Sequence, residues 1–297
     1  MDFFKPSNLM NFKNRVSYRV GLWLAACLAV TLLFFRDFFM NLPSMLQPGN
    51  LQREGVYGWG ILGVCFLWLF LKKGQVARDM KAAQTNLIYA VLGISIILGS
   101  MLLPSSSNFV TVYRMLAAFL GIFALLFGRA AFIPAFLLTV YAFTLVFPVL
   151  VRPLAEGPWG QATLWMVVGL SRLLGLPMAS RGEVLTVFTS SGEEISALVT
   201  YECAGQVTMG VFLAIFALMM LDAPLSRKKA IVLLLIGILG TTFQNLVRIE
   251  GILWASHFWG WEGLSAAHRS LAYFVFPLWY AFFAYIYFRL APTGRGR

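Results

Sequence analysis

Eight apolar runs divide this chain, and a chain so divided has few folds open to it. They lie at about Val20–Phe35, Val56–Leu71, Asn86–Leu103, Phe109–Phe127, Ala131–Val151, Ala204–Leu221, Ala230–Val247 and Ser270–Leu290. A helix needs about 20 apolar residues to cross a bilayer core, and inside lipid every backbone amide has to be bonded within its own element. The expectation is an all-α polytopic membrane protein of about eight transmembrane helices. Composition agrees: 60% of residues are hydrophobic and 12% charged, and the mean hydropathy is +0.78, far from soluble values. In 297 residues such spans leave no room for a separate soluble domain. Residues 1–297 are therefore expected to form one integral membrane domain.

Charge gives the direction of the spans, because cytoplasmic loops collect Lys and Arg. With the N-terminus inside, the inner segments hold Lys5, Lys13, Arg15 and Arg19, then Lys72, Lys73, Arg78 and Lys81. Next come Arg129, then Arg227, Lys228 and Lys229, and finally Arg289, Arg295 and Arg297. Every lysine then lies inside, and both termini are cytoplasmic in a multi-pass plasma-membrane protein. The net charge of +11 would point a soluble protein toward nucleic acid. Here the orientation rule accounts for it, and no nucleic-acid partner is expected.

Two segments could disturb this reading. Leu24-Ala25-Ala26-Cys27 resembles a lipoprotein processing site. Arg19, however, leaves only Val20 to Trp23 as an apolar core, against the roughly 7–15 residues a signal peptide needs. Ala162–Leu176 is apolar but short, and Gly169 and Arg172 interrupt it; it is expected to lie in the interface rather than to span. Cys27 and Cys65 fall inside apolar runs, so the three cysteines offer no disulfide framework.

Ahead of Cys203 stands the only β-like pattern of the chain. Val184–Phe188 and Ile195–Val199 flank Ser190-Ser191-Gly192, a hairpin turn signal. The expectation is a small outer-face β-hairpin feeding into Glu202-Cys203. It is either a loop drawn into two strands or an edge able to pair with an extended peptide.

Taken alone, Cys203 reads as one more small apolar residue. Its setting differs from that of Cys27 and Cys65: it follows polar Thr200-Tyr201-Glu202 and begins an apolar helix. There the helix dipole favours a thiolate, lowering a pKa otherwise about 8.5. Glu202 opposes this, which calls for a nearby cation. Arg248 can be that cation, although an arginine at a helix end can also simply snorkel. Asn245, three residues earlier on the same helical face, is placed to hold the guanidinium. His257 sits in an aromatic belt and reads as structural. His268 stands at the predicted depth of Cys203 and Arg248, and its ordinary pKa of about 6.5 suits proton transfer near neutrality. Arg269 beside it favours the neutral base. The three groups together point to thiol chemistry on a peptide or acyl bond at the outer face, with no cofactor and no metal.

The order Glu202-Cys203-Ala204-Gly205, then Asn245-Leu246-Val247-Arg248-Ile249, then His268 before a last aromatic span resembles the exosortase/archaeosortase family. The family pattern is Cys-Ser-Gly, Asn-x-x-Arg and His. The resemblance implies a membrane cysteine transpeptidase, with Cys203 as nucleophile, Arg248 stabilising substrate or oxyanion, and His268 as acid/base. It further implies secreted substrates ending in a recognition motif, one transmembrane helix and a basic tail, with a lipid, a glycan or water as acceptor. Ala204 departs from the common serine. Tyr57-Gly58-Trp59-Gly60 stands where many bacterial members carry Tyr-Ser-His-Gly. Two other classes fit parts of the sequence: a membrane acyltransferase or lipid-modifying enzyme, and a transporter using the intramembrane Arg114.

Overall fold

The structure is a computed structural model that describes residues 6–45, 56–82, 86–104, 107–199 and 201–291. Lys5, Thr200, Arg295 and Arg297 of the sequence argument lie outside these residues, as do the side chains of Lys13, Arg15, Tyr57, Tyr201 and Glu202.

The apolar runs are helices. In the first part of the chain these are α1 (Pro6–Phe34), α2 (Arg36–Met45), α3 (Val56–Leu71), α4 (Lys73–Lys81), α5 (Leu87–Leu102), α6 (Asn108–Phe127) and α7 (Phe132–Leu150). Further on come α8 (Arg152–Glu156), α9 (Pro158–Leu173), α10 (Gln206–Asp222), α11 (Arg227–Ser270) and α12 (Ala272–Leu290). Local chemistry sets several ends. The Asn86 side chain accepts from the Tyr89 amide at 3.1 Å and Ser107 Oγ from the Val110 amide at 3.3 Å, each supplying an acceptor for an orphan N–H at a helix start.

Among the described residues, three stretches are long and apolar enough to cross a membrane: Val16–Phe34, Asn108–Leu150 and Arg227–Leu290. A fourth is added if α3 and α4, bent by 58° at their junction, count as one span. Helices α5 and α10, at 16 and 17 residues, are apolar but shorter. The expectation of about eight transmembrane helices is thus met only in part. Two of the three stretches, at 43 and 64 residues, are nevertheless long enough to cross a core of about 30 Å more than once at 1.5 Å per residue. Large apolar side chains stand bare on these helices, among them Leu28, Leu33, Leu235 and Leu239. Water would not tolerate so continuous an apolar surface, whereas acyl chains would.

The chain forms two compact units, Met1–Leu145 and Val146–Arg297. In the first, α5 and α6 pack along each other. Arg114 of α6 donates from Nε to the Ser100 carbonyl at 2.9 Å and from Nη2 to the Met101 carbonyl at 3.3 Å. This arginine, the polar group a transporter reading would use, bonds carbonyls in the last turn of α5.

In the second unit, α12 is tied to its neighbours by three side chains. Tyr280 Oη donates to the Thr208 carbonyl at 2.8 Å, Tyr287 Oη to the Ala223 carbonyl at 2.7 Å, and Trp279 Nε1 to Thr241 Oγ1 at 3.0 Å. The β-like pattern is a three-stranded antiparallel sheet rather than a two-stranded hairpin: β1 (Met178–Arg181), β2 (Val184–Phe188) and β3 (Glu194–Leu198), in that order. Strand β1 escapes a sequence reading because Met-Ala-Ser-Arg has no β-branched residue and no apolar alternation. On one face Leu185 and Val187 are fully buried against Val167 of α9 and Leu246, Ile249 and Leu253 of α11. The sheet therefore sits on the stretch of α11 that carries Asn245 and Arg248.

Candidate active site

After β3 the chain makes a short 3-10 turn, Tyr201–Ala204, and enters α10 through Gly205. Cys203 lies in that turn, half-buried, just ahead of the open amides of the helix. Gly205 is required there twice over. Its φ of +82° is left-handed, and a Cβ would come within 2.9 Å of Asn245 Cγ. The Asn245 side chain, 3% exposed, donates from Nδ2 to the Cys203 carbonyl oxygen at 2.7 Å. Asn245 thus clamps the cysteine turn from across the unit, where the sequence reading had it holding the guanidinium of Arg248. A side chain that bonds 42 residues away in sequence is invisible to an argument from helical spacing.

Cys203 also packs on the cluster formed by Leu185, Val187, Leu246 and Ile249. Hydrophobic packing thereby places the thiol turn beside the α11 segment from 245 to 249. Ala204, where the family pattern has serine, is buried, so this position turns into the core.

Arg248 is half-buried one turn beyond Asn245, and its Nε is fully buried with no hydrogen-bond partner among the described residues. A buried donor left unbonded costs about 1–3 kcal/mol, a cost that an incoming carbonyl or oxyanion would remove. Two residues on, Glu250 is buried and accepts from Ser171 Oγ of α9 at 2.8 Å, fixing α11 against α9. This pair was not anticipated, although a carboxylate in so apolar a stretch signals a partner in the fold.

His268 reaches the site through a reversal of the chain. Gly260 adopts φ +64°, ψ −149°, a region essentially closed to other residues, and breaks α11. The following segment folds back: Gly263 lies directly against the Ala255 carbonyl, Leu264 and Ala267 pack on Ile252 and Ala255, and Leu271 covers Gly251. Ile252 and Gly251 are one turn beyond Arg248, so the returning segment brings His268 to the level of the guanidinium. His268 stands after this reversal, outside the apolar runs, and is exposed. Partial desolvation first, and the Arg248 charge second, hold its pKa below the ordinary 6.5. The neutral imidazole is favoured, the form a general base needs.

The other histidine has a different position. His257 Nδ1 donates to the Phe188 carbonyl at 2.6 Å, and its own carbonyl accepts from the Ser190 amide at 2.9 Å. It ties the β2–β3 turn to α11. The side chain of Glu202 lies outside the described residues. Among those residues no group of His, Cys, Asp and Glu could hold a metal ion.

A half-buried thiol at a helix start, a guanidinium whose Nε is unbonded among the described residues and an imidazole held toward its neutral form lie in one unit and form a set suited to acyl transfer. The sequence profile of a family described as "Transmembrane exosortase (Exosortase_EpsH)" matches residues 51–287, a stretch containing all of these groups. The chain belongs to the transmembrane exosortase family. Membership agrees with the apolar helices in making this a membrane protein, and the family is generally one of cysteine transpeptidases. No curated protein and no solved structure matches the chain.

Proposed function

We propose that this exosortase-family protein cleaves a C-terminal sorting signal and transfers the remaining chain to an acceptor, with Cys203 as nucleophile. The observation that carries this reading is the clamp of Asn245 on the Cys203 carbonyl. It fixes the thiol turn at the start of α10, one helical turn of α11 away from a guanidinium whose Nε has no acceptor among the described residues. A purely structural cysteine would need neither.

The steps follow from the groups present. Neutral His268 takes the Cys203 proton as sulfur attacks the scissile carbonyl, and a C–S bond forms. The resulting oxyanion accepts hydrogen bonds from Arg248, with further support from the dipole of α10. Collapse breaks the C–N bond, and the imidazolium gives its proton to the leaving amine, releasing the transmembrane helix and basic tail. An acceptor hydroxyl, amine or water then attacks the thioester, its proton passing to His268. The Cys203 sulfur leaves and regains a proton from the imidazolium. Substrates are secreted proteins with a recognition motif, one transmembrane helix and a basic tail; the acceptor is a lipid, a glycan or water.

The same proposal puts both termini in the cytoplasm, with about eight crossings, and the site on the outer face of the plasma membrane. Its support is the partition of every lysine to the opposite side. A membrane-impermeant thiol reagent is expected to label Cys203 in intact cells and to leave Cys27 and Cys65, both buried, unmodified. Labelling of Cys203 that appears only in opened membranes would reverse the topology.

The roles of the two histidines separate in kinetics. His268→Ala should lower kcat by about 10²–10⁴-fold, the usual contribution of a positioned acid/base. His257→Ala should leave kcat within a few-fold and instead reduce thermal stability, since it removes the Phe188 anchor. The reverse ranking would overturn the assignment.

A further inference from the structure

We infer that the outer edge of strand β3 is the docking strand for the substrate, pairing backbone to backbone with the extended segment that carries the scissile bond. The inference rests on the peptide-cleaving reading above and specifies how that peptide is held.

The register decides which groups of β3 are available. The Val199 amide donates to the Glu183 carbonyl at 2.9 Å, and the Thr189 amide to the Glu193 carbonyl at 2.8 Å. Antiparallel pairing alternates, and Leu185 faces Ala197 while Val187 faces Ile195. The residues of β3 whose N–H and C=O turn toward β2 are therefore Ile195, Ala197 and Val199. Glu194, Ser196 and Leu198 turn theirs away from the sheet. Strand β1 lies on the far side of β2, and among the described residues no fourth strand covers β3. The side chains of Glu194, Ser196 and Leu198 are exposed, Leu198 by 58%.

The two edges of this sheet are not alike. Edges left open in natural sheets are blunted by Pro, by Lys or other charge, or by extreme shortness. The β1 edge has all three in some form: it is four residues long, follows Pro177 and ends in Arg181. β3 carries no Pro and no basic residue, and its single charge, Glu194, is at the end away from the site. The open edge is also held still. His257 anchors the β2–β3 turn through Phe188 and Ser190, and Leu185, Val187 and Ile195 hold the inner face. A rigid, unblunted edge is the form that strand addition requires.

Its position supplies the occupant. β3 ends at Leu198 and Cys203 follows in the adjoining turn, so edge and nucleophile are at most about 17 Å apart along the chain. A peptide paired with Ser196 and Leu198 therefore needs only a few further extended residues to bring its next carbonyl to the thiol. Exposed Leu198 offers an apolar foothold on that path. Main-chain pairing holds any extended sequence, leaving the recognition motif to be read by side chains nearer Cys203.

The test uses the full-length enzyme and a synthetic peptide spanning the processing site of the protein that accumulates when Cys203→Ala is the sole copy. Ser196→Pro removes an outward N–H without touching the bonds to β2, and proline is tolerated at a sheet edge. It is expected to raise KM by about 3–10-fold, the worth of one lost hydrogen bond, while maleimide labelling of Cys203 stays unchanged. Thr186→Val is the control. It removes the same hydroxyl contact between Thr186 and Ser196, 2.9 Å long, and should leave KM within twofold.

A second arm does not depend on the variant folding. The peptide is N-methylated one residue at a time, and cleavage should fall at alternating positions, as pairing along one edge demands. Unchanged KM in Ser196→Pro, or losses that follow no alternation, would overturn the docking strand. Processing that persists in Cys203→Ala would overturn the peptidase reading instead.

Discussion

Cells whose only copy carries Cys203→Ala are expected to keep the substrate at full length, with its C-terminal helix and basic tail attached. Processing should fall by a factor of about 10³ or more, because removal of a nucleophile eliminates the covalent route and leaves only what positioning can do. The protein itself should fold and insert. Cys203 is half-buried in a turn held by its own carbonyl through Asn245, and that bond does not involve the sulfur. Exchange of a thiol for a methyl group at such a position leaves little cavity. In the wild type, a slow acceptor step should allow a thioester between Cys203 and the shortened substrate to be seen by mass spectrometry and cleared by hydroxylamine. Cys203→Ser should retain a trace of activity at most, since a hydroxyl is far less acidic than a thiol. Normal tail removal with Cys203→Ala would end the cysteine mechanism.

The elements of this fold were legible where one physical signal dominated. Apolar runs such as Val56–Leu71 and Phe109–Phe127 coincide with helices because lipid and core alike demand internal backbone bonding. The signal failed where a helix outlasted its apolar run. Arg248 and Glu250 interrupt the pattern after Val247, yet the helix runs on to its break at Gly260, since Ser171 bonds the carboxylate and packing on the sheet carries the rest. The reversal at Gly260 was also hidden. Among 26 glycines, nothing in sequence separates one with an inverted φ from one chosen for close packing. Without that reversal His268 has no evident path back to Arg248.

The candidate site was proposed from an order of residue types, Cys203, Arg248 and His268, and the structure adds contacts that such an order cannot contain. Asn245 was visible as a companion of Arg248 by its spacing of three, but its bond goes to Cys203. Helical spacing reports which side chains share a face and says nothing of what the opposite element presents to them. Gly205 follows the same logic. Its place next to the cysteine was apparent, whereas its close contact with Asn245 exists only once α10 and α11 are packed.

Arg248→Lys is expected to be nearly as damaging as Arg248→Ala, with kcat reduced by about 10²–10³-fold in each, the loss typical of an oxyanion donor. The reason lies in the depth of Nε, which is buried and lacks a partner among the described residues. A guanidinium carries a donor at that point and more beyond it in a fixed plane, whereas lysine has methylene there and a single flexible ammonium at its end. The two variants should part company in the titration of His268, followed by NMR in a Cys203→Ala background. The charge of Arg248 contributes to keeping the His268 pKa low, after desolvation. Arg248→Ala removes that charge, so the imidazole should titrate at higher pH, and any residual activity should lose its acidic side at higher pH as the base becomes protonated. Arg248→Lys retains a cation, so the titration should stay near its wild-type position although catalysis is lost. Position of charge and geometry of donors are thereby separated. Near-full activity in Arg248→Lys would show that a point charge suffices and that the unbonded Nε has no part in holding the oxyanion.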